Sequence, residues 1–315
     1  DLGLGRDEAL RQLRTSKKRY VVVDAKNGLG NRLRVHAGAS LHWIDAPAVS
    51  VPLWRAIAGV SPPMEATLPP PNLIIGAGTS THRLLLALRR KAHARTVVLM
   101  KPAFPLSWVD AAILPEHDRI SASRRVFVTR GSLNRITPLA RITDKPEALV
   151  LVGGPSPHFA WHDDVVFEQI SQLIATYPSW RWTISGSRRT PDDLMARLRE
   201  LANLKITVVD PQDTHADWLT HQLAASRAVW ITPDSLSMVS EAATSGVPAG
   251  LLQLTAKAGS RVAEGISSLV EHGHVARWSD HATVMGGASQ ERPRLWESDR
   301  AAQWLIRTCL KGGKT

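Results

Sequence analysis

Short apolar runs recur along the chain with room for one helix between successive runs, and most carry Val, Ile or Leu at consecutive rather than alternate positions. Strands buried on both faces have that signature, and helices cover both faces where they cross over a parallel sheet. In the first half the runs are YVVVDA (20–25), NLIIGAG (72–78), TVVLMK (96–101), AAILP (111–115) and VFVTRG (126–131), with helices predicted at 31–43 and 82–94. The second half repeats the rhythm with ALVLVGG (148–154), RWTISGS (181–187), KITVVD (205–210), AVWITPD (228–234) and AGLLQL (249–254). Helical spacing falls near 163–176, 191–202, 214–226, 236–245 and 297–310. The alternation predicts an α/β protein of two similar units in series, joined by the polar, proline-containing ARITDKPE at 140–147. No short-period repeat or low-complexity tract interrupts it.

Open sheets of this kind bind ligands beyond the carboxyl ends of their strands, where helix N-termini turn backbone N–H groups toward anions. Three such segments stand out in the second half. GGPSPHFAW (153–161) offers Gly153 and Gly154 for a close backbone approach, with Ser156 and His158 as donors, although a plain β-turn would use the same residues. SGSRRTPDD (185–193) combines the hydroxyls of Ser185, Ser187 and Thr190 with Arg188 and Arg189. Cations ahead of a helix oppose its dipole, and an anionic ligand would relieve that conflict.

The third segment, ITPDSLSMVSEAATSGVPAG (231–250), has Asp234 or Ser235 as a helix cap, Ser237 and Met238 in the first turn, and Glu241 among small residues. A carboxylate in a helix that packs closely needs partners, and the two hydroxyls of a ribose would serve. Together the three segments describe a cradle for a diphosphate and a ribose, hence for a nucleotide-sugar.

The first half differs in character. NGLGNRLR (27–34) and GAGTSTH (76–82) follow strands, but Thr81 breaks the Gly-x-Gly-x-x-Gly spacing of a dinucleotide site. Asp24, His36, His82 and His117 are the candidate general bases. No His and carboxylate spacing suggests a metal site.

Charge sharpens the division. The chain of 315 residues carries +11, yet residues 1–150 hold 23 Lys+Arg against 11 Asp+Glu, and residues 151–315 hold 16 against 17. A field on one half attracts phosphate-bearing partners such as an anionic membrane or an acidic glycolipid, unless it serves only solubility. Clustered basic-aromatic signatures are missing, so no nucleic-acid partner is expected. The single cysteine, Cys309, cannot make an internal disulfide, which favours a reducing compartment. No run approaches the roughly 20 apolar residues of a membrane span, and the opening residues lack a signal-peptide pattern, so a cytoplasmic protein is expected.

Taken in order, NLIIGAGTSTHRLLLALRR, VVLMKPAFPLSWVDAAILPEHDRI, VFVTRGSLNRITP, GGPSPHFAW, TISGSRRTP and ITPDSLSMVSEAATSGVP closely resemble the plant mitochondrial-fission ELM-type proteins and their bacterial relatives, over roughly residues 72–250. The resemblance implies a GT-B-like fold of two facing Rossmann-like domains with parallel sheets. Residues 1–143 would form the acceptor side and residues 144–296 the nucleotide-sugar side, with the helix at 297–310 crossing back to the first. It also implies a glycosyltransferase that needs no metal and no bound cofactor, with some bacterial members linked to lipopolysaccharide outer-core sugars. One departure stands out: the family's Gly-His-x-Asn-Gln-like segment is here Gly28-Leu29-Gly30-Asn31-Arg32, without the histidine.

The expected function is transfer of a sugar from a nucleotide-sugar to an anionic, lipid-linked acceptor such as a lipopolysaccharide core or similar cell-surface glycan. The protein would sit peripherally at the inner face of the cytoplasmic membrane. The donor would be held by Gly153, Gly154, Ser156, Ser185, Ser187, Arg188, Arg189, Thr190, Asp234, Ser235, Ser237, Met238 and Glu241, with Asp24 or His82 as base in an inverting reaction. The alternative is a non-catalytic GT-B-like scaffold that binds membrane or protein partners. An epimerase or hydrolase of a nucleotide-sugar would have no use for a large basic face.

Overall fold

The computed structural model describes residues 19–23, 28–44, 51–61, 71–92, 94–286 and 294–310. Asp24 and residues 1–18 lie outside them. The chain divides into two compact units, one of Asp1–Thr129, Leu133–Arg135 and Glu297–Thr315, the other of Arg130–Ser132 and Ile136–Trp296.

The first unit is built on β1 (Arg19–Val23), β2 (Ser40–Ile44), β3 (Leu73–Ala77), β4 (Arg95–Leu99), β5 (Ala111–Pro115) and β6 (Val126–Thr129). All pair in parallel in the order β2-β1-β3-β4-β5-β6. Between them run α1 (Leu29–Ala37), α2 (Leu53–Ala58) and α3 (Thr79–Ala92). One face of the sheet packs Leu73, Ile75 and Val97 against Leu29 and Leu33 of α1 and against Ala301, Ala302 and Leu305 of α10 (Glu297–Leu305). The other packs Ile74 and Val98 against Leu84 and Leu85 of α3 and Ala56 of α2.

The helix predicted over 31–43 is shorter than its pattern suggested. Gly38, at φ 60°, takes the left-handed conformation that ends α1, and Ser40–Ile44 pairs with β1 as an edge strand. Neither this strand nor α2 was anticipated.

α10 is clamped to α1 by charge as well as by packing. Asp299 Oδ1 accepts from Arg32 Nε at 2.6 Å and lies 2.7 Å from His36 Nε2, while Gln303 donates to Oδ2 at 2.8 Å. Burial alone would raise the Asp299 carboxyl, but the hydrogen bonds from His36 and Arg32, the charge of Arg32 and the bond from Gln303 hold it below the usual carboxylate range. A depressed folded pKa means the clamp stabilises the protein above the unfolded pKa of about 3.9 and loses that stabilisation as pH falls through the folded value. Asp299→Asn is therefore expected to destabilise by about 2 kcal/mol at neutral pH. The gap between its unfolding midpoint in urea and that of the wild type should begin to narrow as pH falls below about 4 and close only below the folded value. Equal midpoints at neutral pH would count against the clamp.

The same helix continues as a wider turn, Ile306–Leu310, that buries Cys309. Burial pushes the Cys309 thiol up to about 11, so it is a protonated core group at neutral pH.

The second unit holds β7 (Glu147–Leu151), β8 (Arg181–Ser185), β9 (Ile206–Val209), β10 (Ala228–Ile231) and β11 (Ala249–Leu251), all parallel in the order β11-β10-β7-β8-β9. One face carries α6 (Trp218–Ala225), α7 (Leu236–Ser245) and α8 (Arg261–Glu271), with Leu223, Val239, Ala242, Ile266 and Leu269 in its core. The opposite face carries α4 (Asp163–Thr176), α5 (Asp192–Glu200) and α9 (His281–Met285) over the fully buried Trp182 and Trp230. The sequence pattern missed α8, although Ser260 caps it by accepting the Ala263 N–H at 3.2 Å.

Residues 130–132 join this unit through Ser240. Its Oγ accepts the Ser132 N–H at 3.0 Å and donates to the Leu236 carbonyl at 2.7 Å. A Cβ on Gly131 would come within 2.8 Å of that same oxygen.

Candidate functional site

In the second sheet the first strand of the unit, β7, and the fourth, β10, lie side by side, so their following loops leave in opposite directions. That is the topological switch point at which open α/β sheets form a crevice. The loops after β7, β8 and β10 meet there.

Four side chains tie them together. Gly153 N–H donates to Thr232 Oγ1 at 2.7 Å, and Gly154 N–H donates to Asp234 Oδ2 at 3.2 Å. Arg189 Nη2 donates to the same Oδ2 at 2.7 Å. The Thr190 hydroxyl accepts the Ser187 N–H at 2.7 Å and lies 2.6 Å from the Gly153 carbonyl and 2.9 Å from that of Val152. The Asp234 side chain is 0% exposed and that of Arg189 is 45% exposed. Asp234 Oδ1 is buried without a hydrogen-bond partner among the described residues.

The glycines make this approach possible. A Cβ on Gly153 would stand 2.1 Å from Asp234 Oδ1, and one on Gly154 would stand 1.9 Å from the Arg189 carbonyl oxygen. The double glycine is thus required by the close packing of the loops after β7, β8 and β10.

α7 opens into the same crevice. Ser235 is its N-cap and accepts the Met238 N–H at 3.5 Å. The N–H groups of Leu236 and Ser237 have no intrahelical acceptor, so the first turn presents two donors for an anion. Ser237 is exposed, Met238 is half-buried, and Glu241 is half-buried one turn further on the face of Ser237.

Several expected roles change. Thr190 and Asp234 face the protein and lock the loops. Ser185 is buried, with its hydroxyl 3.2 Å from the Gly186 carbonyl. Ser156 accepts the His158 N–H at 3.2 Å, and His158 Nδ1 lies 3.2 Å from Ser260 Oγ. Ser240 and Thr244 bond back to carbonyls of their own helix. The conflict between the paired arginines and the helix dipole is relieved internally, because Asp192 and Asp193 occupy the first turn of α5 and Arg189 pairs with Asp234. Arg188 is exposed at the mouth of the loop.

Thr232 was missed as a site residue. The only signal was its position between the strand and Pro233.

The candidate bases fare differently. Asp24 lies outside the described residues. His82 is 2% exposed and its Nε2 lies 2.9 Å from the Leu99 carbonyl, with the ring edge-on to Phe104. Burial lowers its pKa against the raising effect of that backbone bond, so it is a neutral core histidine and not a base within reach of a substrate. His36 sits in the last turn of α1 against Asp299, roughly 10 Å along the helix from its first residue. His117 is half-buried in the single turn after β5.

Two parallel-sheet α/β units, the second with a switch-point crevice, define the GT-B-like class. Solved structures agree at the level of fold. The calicheamicin glycosyltransferase CalG4 superposes with a TM-score of 0.50 at 13% identity, over 95% of this chain and 100% of that one. Acinetobacter baumannii MurG gives 0.50 at 13% identity over 93% and 99%. The Neisseria meningitidis UDP-GlcNAc 2-epimerase, solved with UDP-GlcNAc, gives 0.56 at 12% identity over 94% and 100%.

The family model described as mitochondrial fission ELM1 matches residues 14–309, and the chain belongs to that family. An uncharacterized protein of Rickettsia prowazekii is 27% identical over 225 residues, an alignment that covers 57% of this chain and 64% of that relative. Among the described residues no helix is long and apolar enough to cross a membrane.

Proposed function

We propose that the chain is a GT-B-type glycosyltransferase that binds a nucleotide-sugar in the crevice of its second unit. The observation that carries the reading is the latch of three loops by Asp234 at the start of α7, the helix that carries Glu241. In this reading Glu241 accepts from the ribose hydroxyls. Ser237, the α7 N-terminus, the Gly153–Gly154 backbone and Arg188 surround the diphosphate, and Ser187 and Met238 line the mouth. Arg189 and Asp234 act by positioning the loops.

The reaction breaks the bond between the anomeric carbon and the diphosphate oxygen, which leaves with the electron pair. The acceptor hydroxyl oxygen forms the new bond to that carbon. Positive charge and helix-terminal N–H groups stabilise the departing anion without a metal, by positioning and fixed electrostatics. In an inverting enzyme the acceptor proton passes to a general base, the role proposed for Asp24, which lies outside the described residues. The basic first half favours an anionic, lipid-linked acceptor at a membrane face.

Thermal-shift titration with UDP, GDP, CDP and ADP tests the donor site. One nucleotide is expected to stabilise the wild type, by about 2.7 kcal/mol at roughly a hundredfold excess over Kd. Glu241→Ala is expected to remove that stabilisation while keeping the ligand-free Tm within a few degrees. If none of the four shifts the wild type, the transferase gives way to a non-catalytic scaffold.

A further inference from the structure

The described residues include eight exposed large apolar side chains, and three of them lie within residues 54–60. Trp54 is 65% exposed, Ile57 44% and Val60 50%. The spacing places Trp54 and Ile57 three apart on α2, which buries its opposite face through Ala56. Gly59, at φ 77°, turns the chain back so that Val60 N–H donates to the Arg55 carbonyl at 2.9 Å, which keeps Val60 with the helix.

α2 packs on α3, and the charges of this pair have one sign. LWRAIA carries Arg55, and TSTHRLLLALRRKA carries Arg83, Arg89, Arg90 and Lys91, with no carboxylate in either helix. Arg55 lies over the Trp54 ring at 5.2 Å. Beside α2 opens a cavity of about 470 Å³ lined by Ala56, Ile57, Leu86, Arg89 and Trp108. Arg89 is held at its wall by donating to the Trp108 carbonyl.

An apolar ridge with an exposed tryptophan, with Arg55 over that ring and next to a cavity of apolar walls and one guanidinium, has the chemistry of an interfacial anchor. Indole and aliphatic groups enter the acyl boundary, while the cations meet lipid phosphates. The absence of carboxylates from both helices argues for an anionic lipid surface over a typical protein partner, whose interfaces mix signs at the rim.

We infer that α2, backed by α3, docks the first unit onto an anionic phospholipid bilayer with Trp54, Ile57 and Val60 entering the interface. The inference deepens the transferase reading, since it brings the basic unit to a lipid-linked acceptor. It stands on residues remote in sequence from the donor loops.

The test is sedimentation of the full chain with vesicles of phosphatidylcholine, with and without phosphatidylglycerol. Wild type is expected to sediment with the anionic vesicles and not with phosphatidylcholine alone. The double variant Trp54→Ser/Ile57→Ser should lose about tenfold or more in partitioning. Arg55→Glu, at an exposed position, should lose roughly tenfold and tests the charge if the double variant fails to fold.

Both variants should keep the nucleoside diphosphate stabilisation of the wild type. Vesicle binding without any nucleotide shift would sink the transferase and leave the docking face intact. The docking face is overturned if wild type ignores anionic vesicles, if it binds neutral vesicles equally, or if the double variant sediments as wild type does. Dissociation of a wild-type dimer by the double variant, with vesicle binding unchanged, would instead make α2 a protein interface.

Discussion

Asp234→Ala is expected to destabilise the second unit by about 2–4 kcal/mol and to abolish nucleotide stabilisation. The carboxylate is buried, and its Oδ2 is the acceptor for both Gly154 N–H and Arg189. Removing it strands a buried backbone donor, which costs about 1–3 kcal/mol. It also leaves the arginine without its partner, although Arg189 is partly exposed and recovers some hydration. Asp234→Asn keeps an acceptor for Gly154 and should lose about half as much stability. Urea denaturation separates the two variants, and the nucleotide shift reads the site directly. An alanine variant with wild-type stability would show that the loops hold their positions without the latch.

Gly154→Ala is expected to have the second large effect. The new methyl would be 1.9 Å from the Arg189 carbonyl oxygen and 2.3 Å from its carbon, and backbone atoms cannot swing aside as a side-chain tip can. The loops after β7 and β8 must separate, at about 2–3 kcal/mol, the range of overpacking in a closely packed region. Because Arg189 moves with its carbonyl, the bond to Asp234 weakens as well. Nucleotide affinity should fall by at least about tenfold, more than the loss of stability alone would produce, since a shift of the cradle is felt by every donor in it. Titration of the folded variant well below its Tm measures this. Wild-type affinity in a destabilised Gly154→Ala protein would separate the glycine from the site.

The parallel architecture was legible because its cause is local. Runs such as LVLV (149–152) and TVVL (96–99) have no polar alternation, and only strands covered on both sides tolerate that. The helix 236–245 could be placed from its cap, Ser235, and its stop, Gly246, whose φ of 83° suits glycine. β2 was hidden because SLHWI follows a helix with only one glycine between, and an edge strand of five residues carries little pattern. The amphipathic α8 went unread for a different reason: AKAGS (256–260) before it carries turn residues that look like the end of a domain.

Residue types at the site were legible and their roles were not. Arg188 and Arg189 are neighbours in sequence, yet one is exposed and the other is bound to a carboxylate 45 positions away. His82 and Glu241 each lie on a helix that follows a strand, but one is enclosed and the other is half-buried.

By itself the sequence determined the repeating strand and helix units and the residue types in the loops after the strands, because period, caps and strand burial act over a few residues. Strand order belongs to the tertiary structure alone. It set β10 beside β7, brought Asp234 to Gly154 and Arg189, and left Trp54 and Ile57 outside the core. Pairings of that kind depend on where distant segments pack, and no local pattern of polar and apolar residues encodes the partner of a side chain.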